Sequence, residues 1–243
     1  MMKVRHIAAI AIASLLPMAA SAQESRALGP TGWTGAYAGL QFGALSAMQD
    51  VDNVSTAAGV VRTWSPDPDG ASGGVFLGYN WQRGASLVYG VEADVNWSGA
   101  EGRSVVTTPL LAGGNVVEAV DTNVRGTAAL RGRVGYAAGD TLFYATAGLA
   151  WIRHEGVYLG TTNPAAGPPI VGNPLPWSDT ARGWTAGIGL EHVLNDRWVG
   201  RIDYRYTDFG DLFYRPFGGA LAVNNLLGNL STHEIRVGIA MRF

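Results

Sequence analysis

The stretch that most constrains this chain is its last, Thr232 to Phe243, reading T-H-E-I-R-V-G-I-A-M-R-F. Ile235, Val237, Ile239, Met241 and Phe243 are apolar, and Glu234, Arg236, Gly238, Ala240 and Arg242 fall between them. Side chains alternate across a strand, so a strand here has one oily face and one charged face. A soluble sandwich could use such a strand at an edge. A transmembrane β-barrel uses it as a closing strand, with the apolar face toward lipid and the charged face toward a polar lumen. The rest of the chain decides between the two.

The same alternation recurs upstream. In Trp33 to Ala44, Ala36, Ala38, Leu40 and Phe42 oppose Tyr37, Gly39, Gln41 and Gly43. It returns in Gly74 to Gln82, Leu87 to Trp97, Val124 to Tyr136, Leu142 to Ile152, Arg182 to Leu194 and Trp198 to Thr207. In the fourth of these strands, Val124, Ala128, Leu130 and Val134 take the apolar parity and Arg125, Thr127, Arg131 and Arg133 the polar one. Strands of about ten residues are long enough to cross a bilayer at a tilt.

The connections alternate long and short. The short ones are Arg83 to Ser86, Ala137 to Asp140 and the hairpin signal Asn195-Asp196. The long ones include a Gly-rich segment between Trp97 and Val124, and Arg153 to Thr180 with its run from Pro164 to Pro176. Spaced prolines favour an extended, solvated coil there. The pattern predicts an all-β fold, an eight-stranded antiparallel up-and-down transmembrane β-barrel with short periplasmic turns and long extracellular loops.

Aromatic placement is a second, independent signal. Trp33, Trp81 and Trp198, with Tyr89, Tyr136 and Phe243, lie near the short-turn ends; Trp97, Trp151 and Trp184, with Tyr206, lie near the long-loop ends. Two rings at the two water–lipid boundaries are expected of a membrane barrel. A lipocalin-like soluble barrel explains neither the rings nor the loop asymmetry.

Composition removes several function classes. There is no cysteine, so neither a disulfide framework nor a Cys-ligated metal can form, and a formal charge of -2 without a basic run excludes a nucleic-acid partner. The N-terminus has basic residues, an apolar run from Ile7 to Leu16, and Ala20-Ser21-Ala22. This predicts a signal peptide cut after Ala22, leaving 23–243 as one barrel domain. The only lysine, Lys3, leaves with that leader. No other stretch approaches the ~20 apolar residues of a membrane helix.

Ala128 to Trp151 (A-A-L-R-G-R-V-G-Y-A-A-G-D-T-L-F-Y-A-T-A-G-L-A-W), G-W-T-A-G-I-G-L-E-H from Gly183 and R-I-D-Y-R-Y-T-D-F-G from Arg201 resemble the small porin-like outer-membrane proteins called outer-membrane immunogenic proteins. W-T-G-A-Y-A-G at Trp33 and the closing strand also look like that family. The likeness covers nearly all of 23–243 except the long loops and rests on framework motifs. It implies an eight-stranded barrel whose closing strand, with Ile239, Met241 and Phe243 as its signal, is read by the outer-membrane assembly machinery. The other partners expected are outer-membrane lipid and lipopolysaccharide, around a monomer.

On the inward parity lie Glu92, Asp94, Arg125, Arg131, Arg133, Glu191, Arg201, Asp203, Arg205, Glu234, Arg236 and Arg242. Unpaired charge in a narrow lumen is costly, so these residues are expected to form an ion-pair network in which arginine forks grip carboxylates. The same residues could instead form an ion path or gate.

Other motifs are weaker. Gly70-Ala71-Ser72-Gly73-Gly74 matches G-x-S-x-G but runs from a loop into a strand, without the following helix of a hydrolase elbow. His154-Glu155 does not extend to H-E-x-x-H, and His192 and His233 take the lipid-facing parity, where interface anchoring is the simpler role. Asp67-Pro68-Asp69-Gly70 starts like a calcium loop but lacks its later ligands. No catalytic residue, metal ligand or cofactor is expected. The reading is a non-enzymatic envelope protein that presents loops at the surface; a porin-like small-solute channel and a surface-loop binding protein or adhesin for a host molecule or haem are the alternatives.

Overall fold

The computed structural model describes residues 32–55, 60–214 and 224–243, which are strand, turn or coil without a helix. The expected leader, Met1 to Ala22, lies outside the described residues. Ten strands follow in order: β1 (Gly35–Ser55), β2 (Val60–Trp64), β3 (Asp69–Arg83), β4 (Leu87–Pro109), β5 (Gly114–Ala138), β6 (Thr141–Pro164), β7 (Ile170–Val171), β8 (Leu175–Val193), β9 (Trp198–Tyr214) and β10 (Asn224–Arg242). Eight of them, β1-β3-β4-β5-β6-β8-β9-β10, form a ring of antiparallel neighbours. It closes where β10 pairs with β1, from Tyr37↔Arg242 to Ser55↔Asn224. Closure removes the sheet edges that a bilayer cannot satisfy. β2 adds to β1 and β7 to β6 beyond the ring.

The outer surface carries the apolar parity. Leu40, Phe42, Val91, Leu130, Val134, Phe143, Leu149, Ile188, Ile202, Ile235 and Val237 are all exposed. Trp81 and Trp198 are exposed near one end of this band, and Trp97, Trp151 and Trp184 near the other. The tight connections are Gly84 to Ser86, Gly139-Asp140 and Leu194 to Arg197. Gly84 and Gly139 adopt positive φ (65° and 61°), a conformation glycine takes without a steric penalty. In the third turn the Asn195 side-chain oxygen accepts from the backbone N–H groups of Arg197 and Trp198, both at 3.0 Å.

Two expectations about the wall are corrected. The ring strands are not about ten residues long: β4, β5 and β6 span 23, 25 and 24 residues. Most of the supposed loops after Trp97 and Arg153 are continuations of the wall. Pairs such as Val106↔Glu118 and Val120↔Tyr158 hold them together, and the Pro-rich run contributes β7 and the start of β8. Val105-Val106-Thr107-Thr108 and Val116-Val117 are β-branched, the residues best suited to a pleated surface.

The second correction concerns Val124, which is buried rather than lipid-facing. The register of β5 shifts by one residue between Val124 and Gly126 against β6, and opposite Trp97/Ala100 against β4. A one-residue slip sends every later side chain to the other face.

Candidate functional site

The site is the lumen. Five arginines (Arg131, Arg133, Arg201, Arg205, Arg236) and five carboxylates (Glu92, Asp94, Glu191, Asp203, Glu234) are buried within the ring. They come from β4, β5, β8, β9 and β10, each strand supplying alternate residues to one face. The set sums to zero formal charge.

Glu92 is the hub. It accepts from Arg131, from Arg201 Nη1 at 3.0 Å and from the Tyr37 hydroxyl at 2.9 Å, and Arg133 Nη1 lies 3.5 Å away. Asp94 accepts from Arg131 Nη2 and Arg205 Nη1, both at 2.9 Å. Glu234 accepts from Arg205 Nε at 2.8 Å, and Asp203 accepts from Arg236 Nε at 2.8 Å and Arg201 Nε at 3.1 Å. Arg133 Nη2 pairs with Glu191 at 3.0 Å. The network continues upward through Asn96, which donates to Asp94 and accepts from Gln41, each at 2.6 Å. Desolvating so many charges is tolerable because each has an opposite charge within reach and most are also hydrogen-bonded.

Aromatic rings fill what the ion pairs leave, and sequence reasoning missed them. Arg133 lies over the Tyr144 ring at 4.1 Å and over Tyr37 at 5.4 Å; Arg201 lies over Phe76 at 4.2 Å. Tyr37 rests against Gly78 and Tyr144 against Gly189, leaving no room for a Cβ at either glycine. The available signal was Tyr37, Phe76 and Tyr144 on inward parity among inward glycines.

Both ends of the charged layer are closed by apolar side chains. Trp33, Val88, Ala137, Leu142, Tyr144 and Val199 form a floor at the short-turn end. Above the charges, Leu45, Ala47, Val124, Ile152, Phe209 and Leu230 are part of a second apolar layer. Higher still, Trp64 packs edge-on against Tyr158 at 6.4 Å and joins Val120. A cavity of about 10 Å³ beside Trp33, lined by Tyr37, Asn80, Glu191 and Arg242, holds one water at most.

Three residues are not where the sequence put them. Trp33 is not an interface aromatic: it is 3% exposed in the floor. It sits just ahead of β1, where its backbone N–H donates to Gln82, and the chain turns it under the barrel. Arg125 lies in the β5 register shift, away from the lumen network, and pairs with Glu155 at 3.0 Å. Arg242 makes no lumen ion pair: it donates to the backbone oxygen of Gly32 at 2.8 Å, over the Trp33 ring. At the same end Met241 pairs in register with Ala38, and Phe243 is exposed with its N–H bonded to Ala36 O at 2.9 Å. Ile239 is exposed in the lipid-facing band.

The remaining motifs assemble no chemistry. Ser72 is buried within β3, so Gly70 to Gly74 is plain strand without an elbow. His192 is exposed and bonds Thr141, and His233 contacts the Tyr204 hydroxyl at 2.7 Å. His154 is buried above the second apolar layer, where desolvation pulls its pKa below the usual histidine value against the opposing pull of Asp179. Among the described residues no group of three His, Cys, Asp or Glu is arranged to hold a metal.

The 31 kDa outer-membrane immunogenic protein of Brucella melitensis is 31% identical over 225 residues, covering 87% of this chain and 84% of that protein. The 25 kDa outer-membrane immunogenic protein of Brucella abortus is 31% identical over 212 residues, covering 87% and 79%. The 22 kDa outer membrane protein of Rhizobium leguminosarum is 30% identical over 174 residues, covering 72% and 67%. Among solved structures, the outer membrane protease OmpT from Escherichia coli superposes with a TM-score of 0.51 at 7% identity, covering 90% of this chain and 99% of that one; this is a likeness of fold alone. The family described as outer membrane protein beta-barrel domain matches residues 8–243, and the chain belongs to that family, a β-barrel of the outer membrane.

Proposed function

We propose that the barrel is a non-enzymatic structural element of the envelope, closed to bulk solutes, that holds an extracellular sheet at the cell surface. The observation that carries this reading is the filled lumen: ten matched charges lie between two apolar layers. An eight-stranded barrel has an interior only wide enough for its own side chains, whereas aqueous channels need about sixteen strands. The protease activity in the name of OmpT is not carried over, because a likeness at 7% identity is one of fold alone.

Surface binding is a second reading with its own support. The far end of the extended wall exposes Leu110, Leu111, Ile170 and Val171, an apolar tip of the kind that marks interaction surfaces.

Planar-bilayer recording of the purified monomer tests the first reading. No steady large conductance is expected, with rare small events at most. Steady openings that pass sugar-sized solutes would put the channel reading in its place.

A further inference from the structure

Charge is distributed unevenly around the outside of the wall, just above the upper tryptophans. On β1, β3, β4 and β9 the outward charges nearest that ring are acidic: Asp50, Asp69, Glu101 and Asp208. Arg103, farther along β4, is matched by Asp121 at 3.5 Å. On β5, β6 and β8 the outward charges are Arg125, Arg153 and Arg182 with two carboxylates, Glu155 and, farther along β5, the Asp121 that Arg103 matches. Asp179 registers with the inward-facing His154 and so points to the other side.

Glu155 is already engaged. Arg125 Nε holds it at 3.0 Å, leaving Arg153 Nε at 3.7 Å, and Arg153 Nη2 reaches the Ser178 hydroxyl at 3.4 Å. Arg182 is exposed and has no carboxylate partner among the described residues. In register, Trp151 faces Arg182 and Arg153 faces Thr180. The two arginines are therefore diagonal neighbours on one face, close enough for long side chains to converge on one group. Directly below them stand the exposed rings of Trp151 and Trp184.

Tryptophan rings mark the boundary between hydrocarbon and headgroups. Guanidinium groups just above that boundary, at the end bearing the extracellular extension, lie at the height of outer-leaflet headgroups. Their planar forks match phosphate oxygens two at a time. We propose that Arg153 and Arg182, standing on Trp151 and Trp184, bind the phosphorylated sugar headgroup of lipid A. The occupant is a glycolipid because the same face offers the Ser178 and Thr180 hydroxyls to sugar oxygens and tryptophan rings to the sugar and its acyl roots. The acidic half of the circumference repels the same headgroup, which fixes the lipid to one side. This site stands whether or not the lumen conducts.

The test uses the folded barrel in phosphatidylcholine nanodiscs doped with lipid A, dephosphorylated lipid A or phosphatidylglycerol, with the lipid retained by the captured protein quantified. Lipid A is expected to be enriched on the unaltered barrel, and dephosphorylated lipid A is not. The R153Q/R182Q pair should lower the enrichment about tenfold or more, the loss of at least one charge-assisted contact. Arg103→Gln, on a matched surface arginine, should leave it unchanged. Undiminished enrichment in R153Q/R182Q overturns the site. Phosphatidylglycerol enriched as strongly as lipid A, or displacement of lipid A by millimolar inorganic phosphate, overturns the glycolipid assignment. Heat-modifiable gel mobility verifies that the double variant is folded, and Arg182→Gln alone serves if it is not.

Discussion

Inside the ring, between the Trp33 floor and the layer of Leu45, Ile152 and Phe209, ten ionised side chains are matched one against another and shut away from water. Farther along the same strands there is almost nothing to match: Ser104 to Val117 and Gly156 to Ser178 carry no charge, and the far end exposes Leu110, Leu111, Ile170 and Val171. One wall thus serves two solvents. Where lipid surrounds it, the polar groups turn inward and must satisfy each other. Where water and other molecules surround it, specificity rests in shape and backbone, and the inner face is apolar around Trp64 and Tyr158. The difference teaches that the lumen is the rigid half of the molecule and the extension the half free to vary.

The largest expected effect tests that rigidity. Glu92→Gln leaves Arg131, Arg133 and Arg201 without their shared carboxylate, and breaking a buried pair of this kind costs about 3–5 kcal/mol. Urea unfolding of the barrel in detergent micelles measures it. A double-mutant cycle of Glu92 with Arg131 that shows near-zero coupling would mean a wet lumen with independent charges.

Somewhat smaller is the effect of Trp33→Ala, which removes the centre of the floor and should cost about 3 kcal/mol. It should also raise small-ion leakage through liposomes bearing the barrel. Unchanged leakage would mean that the charged layer alone seals the bore.

In the extension the effects shrink. His154 is held neutral by burial, so its folded-state pKa lies below the value near 6.5 of an unfolded histidine. The unfolded state therefore binds more protons in that window. The stability of the β5–β6 extension is full above about pH 6.5 and declines as pH falls toward the folded-state value. The protection factors of the Thr122 and Gly156 amides, with the intrinsic pH dependence of exchange divided out, should fall on acidification, and His154→Gln should remove the dependence. A lumen-wide response instead would erase the distinction between the two halves.

Smallest of all is deletion of Phe243, whose ring is exposed and supports no core. Stability in detergent should change by less than about 0.5 kcal/mol. If the terminal strand is read during assembly, the yield inserted in cells should fall nonetheless. Equal loss in both assays would give Phe243 a packing role.

Much of this was legible from residue order because a barrel obeys a period of two. Glu92, Asp94, Arg131, Arg133, Arg201, Asp203, Arg205, Glu234 and Arg236 follow from parity alone. Parity fails where the backbone gains or loses a residue. The slip at Arg125 reverses Val124, and nothing in V-R-G-T announces it beyond a glycine. Parity is also silent about height along the axis, so Arg242 read as a lumen charge although it sits at the mouth. Trp33 precedes the first strand, where no period applies and the chain can fold its ring underneath. The long wall was hidden because prolines and glycines read as coil, whereas β-branched neighbours and a paired partner strand override that local preference.

The neutrality of the buried set has an electrical consequence. A potential across the outer membrane exerts force in proportion to charge, about 2.3 kcal/mol per elementary charge per 100 mV. Five arginines and five carboxylates locked together present no net charge to that field, so shifting the cluster as a unit along the axis does no electrical work. The interior of this barrel is in that sense blind to voltage, whatever potential the envelope sustains.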